Sequence, residues 1–228
     1  HHGRVQSLMQ LAWAGFGIAA APLGAVAEIG DGAFGHCGRL SSIVFPATLT
    51  TIGRAAFEHT GLEEVVLPPA VSAVGRLCFQ DCVRLRTAAL SPNLHLLPYW
   101  MFRNCRRLLW VRVPGAAVVG RYAFTNCARL RRVAFLGNTV TIERKAFQNC
   151  DGLGAVVLPP IATVLDKGFW RCGALALVVT RHFELMRSLQ QSPNPIFQRC
   201  SEDLRFCPDT PRWRVLAGEM QRRGMRET

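Results

Sequence analysis

Apolar positions along this chain recur with a long, fixed period. Each copy opens on an aliphatic residue, Ile29, Ile52, Val74, Leu97, Val119, Ile142 and Leu165, so that successive copies lie 22 or 23 residues apart. A period of that length predicts a solenoid, in which each coil packs only on its neighbours. An aromatic follows five residues on, as Phe34, Phe57, Phe79, Phe102, Phe124 and Phe147, and in the last copy a one-residue deletion brings Phe169 forward to four. Three residues further comes a cysteine: Cys37, Cys82, Cys105, Cys127, Cys150 and Cys172, with Thr60 in the one place left.

After the cysteine the pattern changes to the alternation of a strand. Each copy reads L-x-x-V-x-L or a close variant, for example Leu62, Val65, Leu67 and Leu108, Val111, Val113. Pro46, Pro68, Pro114 or Pro159 then ends it, having no N–H for a further ladder bond. One strand per coil, stacked at about 4.8 Å, predicts a parallel sheet along the array. Alternation turns the residues between the core positions outward. These are Ser42 and Val44, Glu64 and Val66, Thr87 and Ala89, Trp110 and Arg112, Arg132 and Ala134, Ala155 and Val157.

The combined pattern, I-G-x-x-A-F-x-x-C-x-x-L-x-x-V-x-L-P, resembles the BspA-type leucine-rich repeat of bacterial and protist surface antigens, over residues 26–180. The resemblance implies a repeat solenoid with one parallel β-strand per 22–23-residue coil, and a binding scaffold with no shared catalytic residues. A cell-surface adhesin is one form such a scaffold takes. The chain departs from the pattern in its arginine content and its non-repeating C-terminal segment.

Both flanks read as caps. Residues 1–25 form a degenerate capping coil, since Phe16, Ala19 and Ala21 stand in phase with Leu40, Ile43 and Phe45. The uncharged stretch 8–27 is long enough for a membrane span, so membrane contact there is the alternative. Residues 181–228 form a C-terminal capping segment, with Thr210-Pro211 opening a terminal helix that carries Trp213, Leu216 and Met220 on one face.

Charge adds a second candidate surface. The net charge is +12, and only Lys145 and Lys167 are lysines, so nearly all of it sits on guanidinium groups. The residue two after the opening aliphatic is Arg54, Arg76, Arg121, Arg144 or Lys167, and Arg39, Arg84, Arg107 and Arg129 form another row. Rows of like charge repel and are relieved by an acidic partner. An acidic protein surface fits, and nucleic acid or anionic lipid would serve electrostatically. The stacking aromatics of a single-strand binder are not expected between the arginines.

Candidate chemistry is thin. Gly30, Gly32 and Gly35 spell a dinucleotide fingerprint, but Gly30 falls in register with Gly53, Gly75 and Gly120 at a coil turn. The ladder cysteines, about 4.8 Å apart, are too far for disulfides and read as buried fillers. Cys78, Cys200 and Cys207 complete no zinc pattern, although a Cys200–Cys207 bridge is open. Asn104, Asn126 and Asn149, with Asp81, read as corner residues bonding neighbouring backbone. No catalytic set, metal site or cofactor motif emerges. The chain therefore reads as a non-enzymatic protein-interaction scaffold, an accessory subunit of a larger assembly, with Trp110, Arg112, Arg132, Val66 and Val157 on its contact face. A nucleic-acid or anionic-surface module using the arginine rows is the alternative.

Overall fold

The computed structural model describes residues 26–115, 117–165, 167–175 and 177–179. The expected N-terminal cap at 1–25, most of the apolar stretch 8–27, the C-terminal helix and Cys200 and Cys207 lie outside the described residues. No helix among the described residues is long and apolar enough to cross a membrane.

The described chain is a solenoid of parallel strands, but each coil contributes to two columns where the sequence pattern predicted one. The first column holds the opening aliphatics: β1 (Glu28–Ile29), β2 (Thr51–Ile52), β4 (Ala73–Val74), β6 (Leu96–Leu97), β8 (Ala117–Val119), β10 (Thr139–Ile142) and β12 (Ile161–Val164). The second holds the leucine-pattern strands: β3 (Glu64–Val66), β5 (Thr87–Ala89), β7 (Trp110–Val113), β9 (Arg132–Phe135), β11 (Ala155–Val157) and β13 (Leu177–Val179). The unpredicted column, that of the opening aliphatics, has the same cause as the leucine-pattern one. In β10, Thr139 and Thr141 are half-buried while Val140 and Ile142 are buried, so a short β-branched run alternates here too.

Ladder bonds run β1-β2-β4 and β6-β8-β10-β12 in one column, and β3-β5-β7-β9 and β11-β13 in the other. Register corrects the last copy. Ile142 pairs with Val164, not Leu165, and Leu165 is exposed. Counted from Val164, Phe169 stands five residues on as in every other coil, so there is no deletion. The coil ends on two adjacent aliphatics, and the ladder bonds decide which one faces the core.

Between the columns the chain turns on two left-handed residues per coil. Three residues after the opening aliphatic, Ala55, Leu77, Trp100, Tyr122, Lys145 and Lys167 have φ between 51° and 65°. Seven residues after it, His36, His59, Asp81, Asn104, Asn126, Asn149 and Arg171 have φ between 55° and 63°. Left-handed backbone is unfavourable for side chains other than Gly, Asn or Asp. Here the stack holds it. The N–H of Phe57, Phe79, Phe102 and Phe124 donates to the carbonyl of Cys78, Met101, Ala123 and Ala146 on the next coil at 2.8–2.9 Å, and Asn104 and Asn126 do likewise to Thr125 and Gln148. Glycine is needed where coils touch edge-on. A Cβ on Gly75 would stand 2.4 Å from the backbone N of Arg54, which is why the position after the opening aliphatic is so often Gly.

The core is a set of columns of like residues. Rings from Phe34 to Phe169 stack with centroids 5.0–5.5 Å apart and planes within 10°. The thiols do more than fill space. Cys82, Cys105, Cys127, Cys150 and Cys172 each donate S–H to the carbonyl of Phe57, Phe79, Phe102, Phe124 and Phe147 on the preceding coil, at 3.0–3.2 Å. Thr60, the one substitution, keeps the position buried and donates to the Phe57 carbonyl of its own coil at 2.9 Å, with Cys82 Sγ 3.2 Å from its hydroxyl. The described cysteines are free thiols. Burial raises the Cys82 thiol to about 11, and burial also pushes Cys78 and Cys105 well up. Cys37, on the first coil, is only half-buried.

Candidate functional site

Three features face outward: the strand face of the second column and two rows at the turns. On the strand face, ladder register sets Trp110 beside Thr87 on one side and Arg132 on the other. Arg112 pairs with Ala89 and Ala134, and its guanidinium lies over the Trp110 ring at 5.3 Å. Val111, between them in sequence, is fully buried. Trp110, Arg112 and Arg132 are thus brought together as the alternation predicted. Val66 lies 57% exposed on β3, two strands from β7, while Val157 lies half-buried on β11, which bonds to β13 and not to β9.

At the first turn, Arg54, Arg76, Arg121 and Arg144 are exposed and fall in one row as predicted. Lys167 does not belong to it. With the coil opened by Val164, Lys167 stands in register with Lys145, in the row of left-handed residues. The coil opened by Leu97 places Tyr99 in the arginine row. The expectation of no aromatics among the cations is also overturned. Tyr99 and Trp100 stack with centroids 4.2 Å apart, and Tyr122 on the next coil meets Tyr99 edge-on at 5.7 Å. Arg103 lies over Trp100 at 4.5 Å, Arg121 and Lys145 over Tyr122 at 5.9 and 5.5 Å, and Lys167 over Trp170 at 5.2 Å. Sequence reasoning missed this patch because it followed the arginine row alone. The signal was present one place further on, in Trp100 and Tyr122 three residues after Leu97 and Val119.

At the second turn, the corner asparagine side chains bond one another where the sequence suggested bonds to the backbone. Asn149 Nδ2 donates to Asn126 Oδ1, Asn126 to Asn104, and Asn104 to Asp81 Oδ1, at 2.8–2.9 Å. Asp81 Oδ2 lies 3.6 Å from His59 Nε2, and His59 stacks on His36 at 4.9 Å. The row is therefore an amide ladder ending on a carboxylate and two imidazoles. Glu58, His59 and Asp81 bring one ligand atom each within 4.8 Å of one another and could hold a metal ion, a grouping invisible in sequence because it spans two coils. Glu58 Oε1 meanwhile accepts from Gln80 at 2.8 Å. The glycines of the dinucleotide-like motif lie in the first-coil turn, Gly32 with φ 61°, and a turn rather than a helix follows them.

The BspA type Leucine rich repeat region matches residues 27–154 and 117–205, in six copies. The chain belongs to this family. Its fold is a non-enzymatic repeat that commonly mediates protein–protein interaction or adhesion. The second match runs past residue 180, where the sequence pattern had placed the end of the array. Among solved structures, a leucine-rich repeat protein from Eubacterium ventriosum is similar at 24% identity and a TM-score of 0.58, over 65% of this chain and 43% of that one. The leucine-rich repeat protein of T. pallidum is similar at 33% identity and a TM-score of 0.42, over 46% and 50%. The pneumococcal vaccine antigen PcpA is similar at 19% identity and a TM-score of 0.42, over 68% and 48%. The chain thus spans half or less of the length of these structures. No functionally curated protein matches the chain.

Proposed function

We propose that this chain is a non-enzymatic protein-interaction scaffold whose contact surface is the outward strand face centred on Trp110. The observation that carries this reading is the cross-strand setting of Trp110, with Arg132 beside it in the ladder and Arg112 over its ring. A half-buried tryptophan with one arginine over its ring and a second opposite it in the ladder has the composition of an interface hot spot. Val66 and Val157 extend the face in apolar character, and arginines around the anchor suit a partner with an acidic surface. A role as accessory subunit of a larger assembly follows from the same surface.

The test is quantitative capture of partners by wild type and two variants at equal folded concentration, read by mass spectrometry. Proteins retained through the strand face are lost with Trp110→Ala and kept by the triple variant Arg76→Glu, Arg121→Glu, Arg144→Glu. If the triple reversal abolishes capture and Trp110→Ala does nothing, the turn rows are the site. If the retained material is nucleic acid whose binding falls steeply with salt, the module binds phosphates instead.

A further inference from the structure

The turn rows divide along the array into a mixed-charge end and a cationic, aromatic one. The coils opened by Ile29, Ile52 and Val74 present Asp31, Glu58, Asp81, His36 and His59 beside Arg54 and Arg76. From Leu97 onward the same turn presents Tyr99, Trp100, Arg103, Arg121, Tyr122, Arg144, Lys145, Lys167 and Trp170, with Glu143 as the acidic group among the described residues there. Glu143 accepts the backbone N–H of Arg121 at 2.9 Å, which leaves that turn rich in cationic side chains.

In this patch the rings hold the cations. Trp100 carries Arg103 at 4.5 Å and the Tyr99 ring at 4.2 Å, while Tyr122 carries both Arg121 and Lys145. The field they make is visible at the Tyr122 phenol. Desolvation, its largest single influence, raises its pKa, yet the hydrogen bond and charge of Lys145 and those of Arg121 bring it below the ordinary value. Charged side chains seated on rings lose less freedom when an anion arrives, so they bind it at a smaller entropic cost than free-swinging ones. Trp100 and Tyr122 stand at the left-handed positions of successive coils, which sets the two rings on the same turn.

We propose that the turn surface from Tyr99 to Lys167 is a second binding site, specific for a carboxylate-rich polypeptide segment. It rests on the reading of the chain as an interaction scaffold and adds a surface separate from Trp110. Carboxylates fit because the groups offered are guanidinium and ammonium N–H donors, which take planar carboxylates in charge-assisted bonds. A nucleic-acid single strand fits less well, since it needs open ring faces for its bases and here cations and a neighbouring ring already lie over them.

The test uses the chain with a fluorescein-labelled oligoglutamate peptide, an oligoglutamine peptide of equal length and an oligothymidylate, followed by anisotropy at low and physiological salt. Oligoglutamate binds and oligoglutamine does not. Tyr122→Leu, which keeps every charge but removes the seat of Arg121 and Lys145, weakens oligoglutamate binding about five-fold or more, and Arg103→Gln with Lys145→Gln weakens it further. Arg39→Gln with Arg84→Gln, an equal loss of charge elsewhere, leaves it within about two-fold. Equal losses from the remote pair would reduce the site to net charge, and tighter binding of the oligothymidylate would make it a nucleic-acid surface. Absence of oligoglutamate binding would overturn the proposal while leaving the Trp110 reading intact.

Discussion

The two sides of the strands in the second column obey different rules. Inward, each coil repeats its neighbour: leucine on leucine and, deeper in the coil, phenylalanine on phenylalanine and thiol on thiol. Outward, the row that crosses β3, β5, β7 and β9 reads Glu64, Thr87, Trp110 and Arg132, with no two alike. The inner side repeats because every residue there must fit a copy of itself one coil away, and a ring packed 5.0 Å from its neighbours leaves little choice of shape. The outer side has no such partner. Variation along a solenoid therefore marks where something other than the array decides the residue.

The largest expected effect lies on the inner side. Phe124→Ala removes a fully buried ring stacked on Phe102 and Phe147, and urea denaturation should show a loss of about 3–5 kcal/mol. A loss near zero would mean that the ring column does not carry the fold.

The thiols sharpen it through pH. Burial raises Cys82 from its ordinary 9.0 to about 11, so the unfolded chain releases this proton first. The folded state then binds more protons between those values, and its stability falls as pH rises from about 9 towards 11, by about 2–3 kcal/mol for Cys82 alone. Cys82→Thr, copying Thr60, should flatten that part of the curve. An unchanged alkaline limb would show that the thiol is not sealed.

At the second turn the expected effects are smaller. Asn126 donates to Asn104 and accepts from Asn149 while holding φ at 62°. Asn126→Ala should cost about 1–3 kcal/mol by denaturation, combining lost amide bonds with left-handed backbone strain. Asn126→Gly should cost less than the alanine, because it relieves the strain while losing the same bonds. The reverse order would place the stabilisation in side-chain packing instead. On the outer side, Val157→Ala should cost under about 1 kcal/mol.

Much of this architecture is legible in the sequence. The coil period, the phenylalanine and cysteine columns and the outward set around Trp110 all follow from spacing along the chain, because inner residues recur and strands alternate. What is not legible there lies across coils. The ladder bond that chooses Val164 over Leu165 depends on Ile142, 22 residues earlier. The column of opening aliphatics is hidden as strands because two-residue strands such as Thr51–Ile52 carry no alternation of their own. Trp100 and Tyr122 look ordinary singly and become a patch only when neighbouring turns are stacked. The S–H bonds of the thiols join Cys127 to Phe102, a pairing that no local pattern announces.

The central claim is that the outer face serves a partner and the inner face serves the array, and Trp110→Ala tests it most directly. Partner capture and urea unfolding are measured on the same preparation. The account predicts that capture weakens by about 2 kcal/mol or more while the unfolding free energy changes by less than about 1 kcal/mol. Capture unchanged alongside a stability loss like that of Phe124→Ala would contradict it, making Trp110 one more packing residue of the stack.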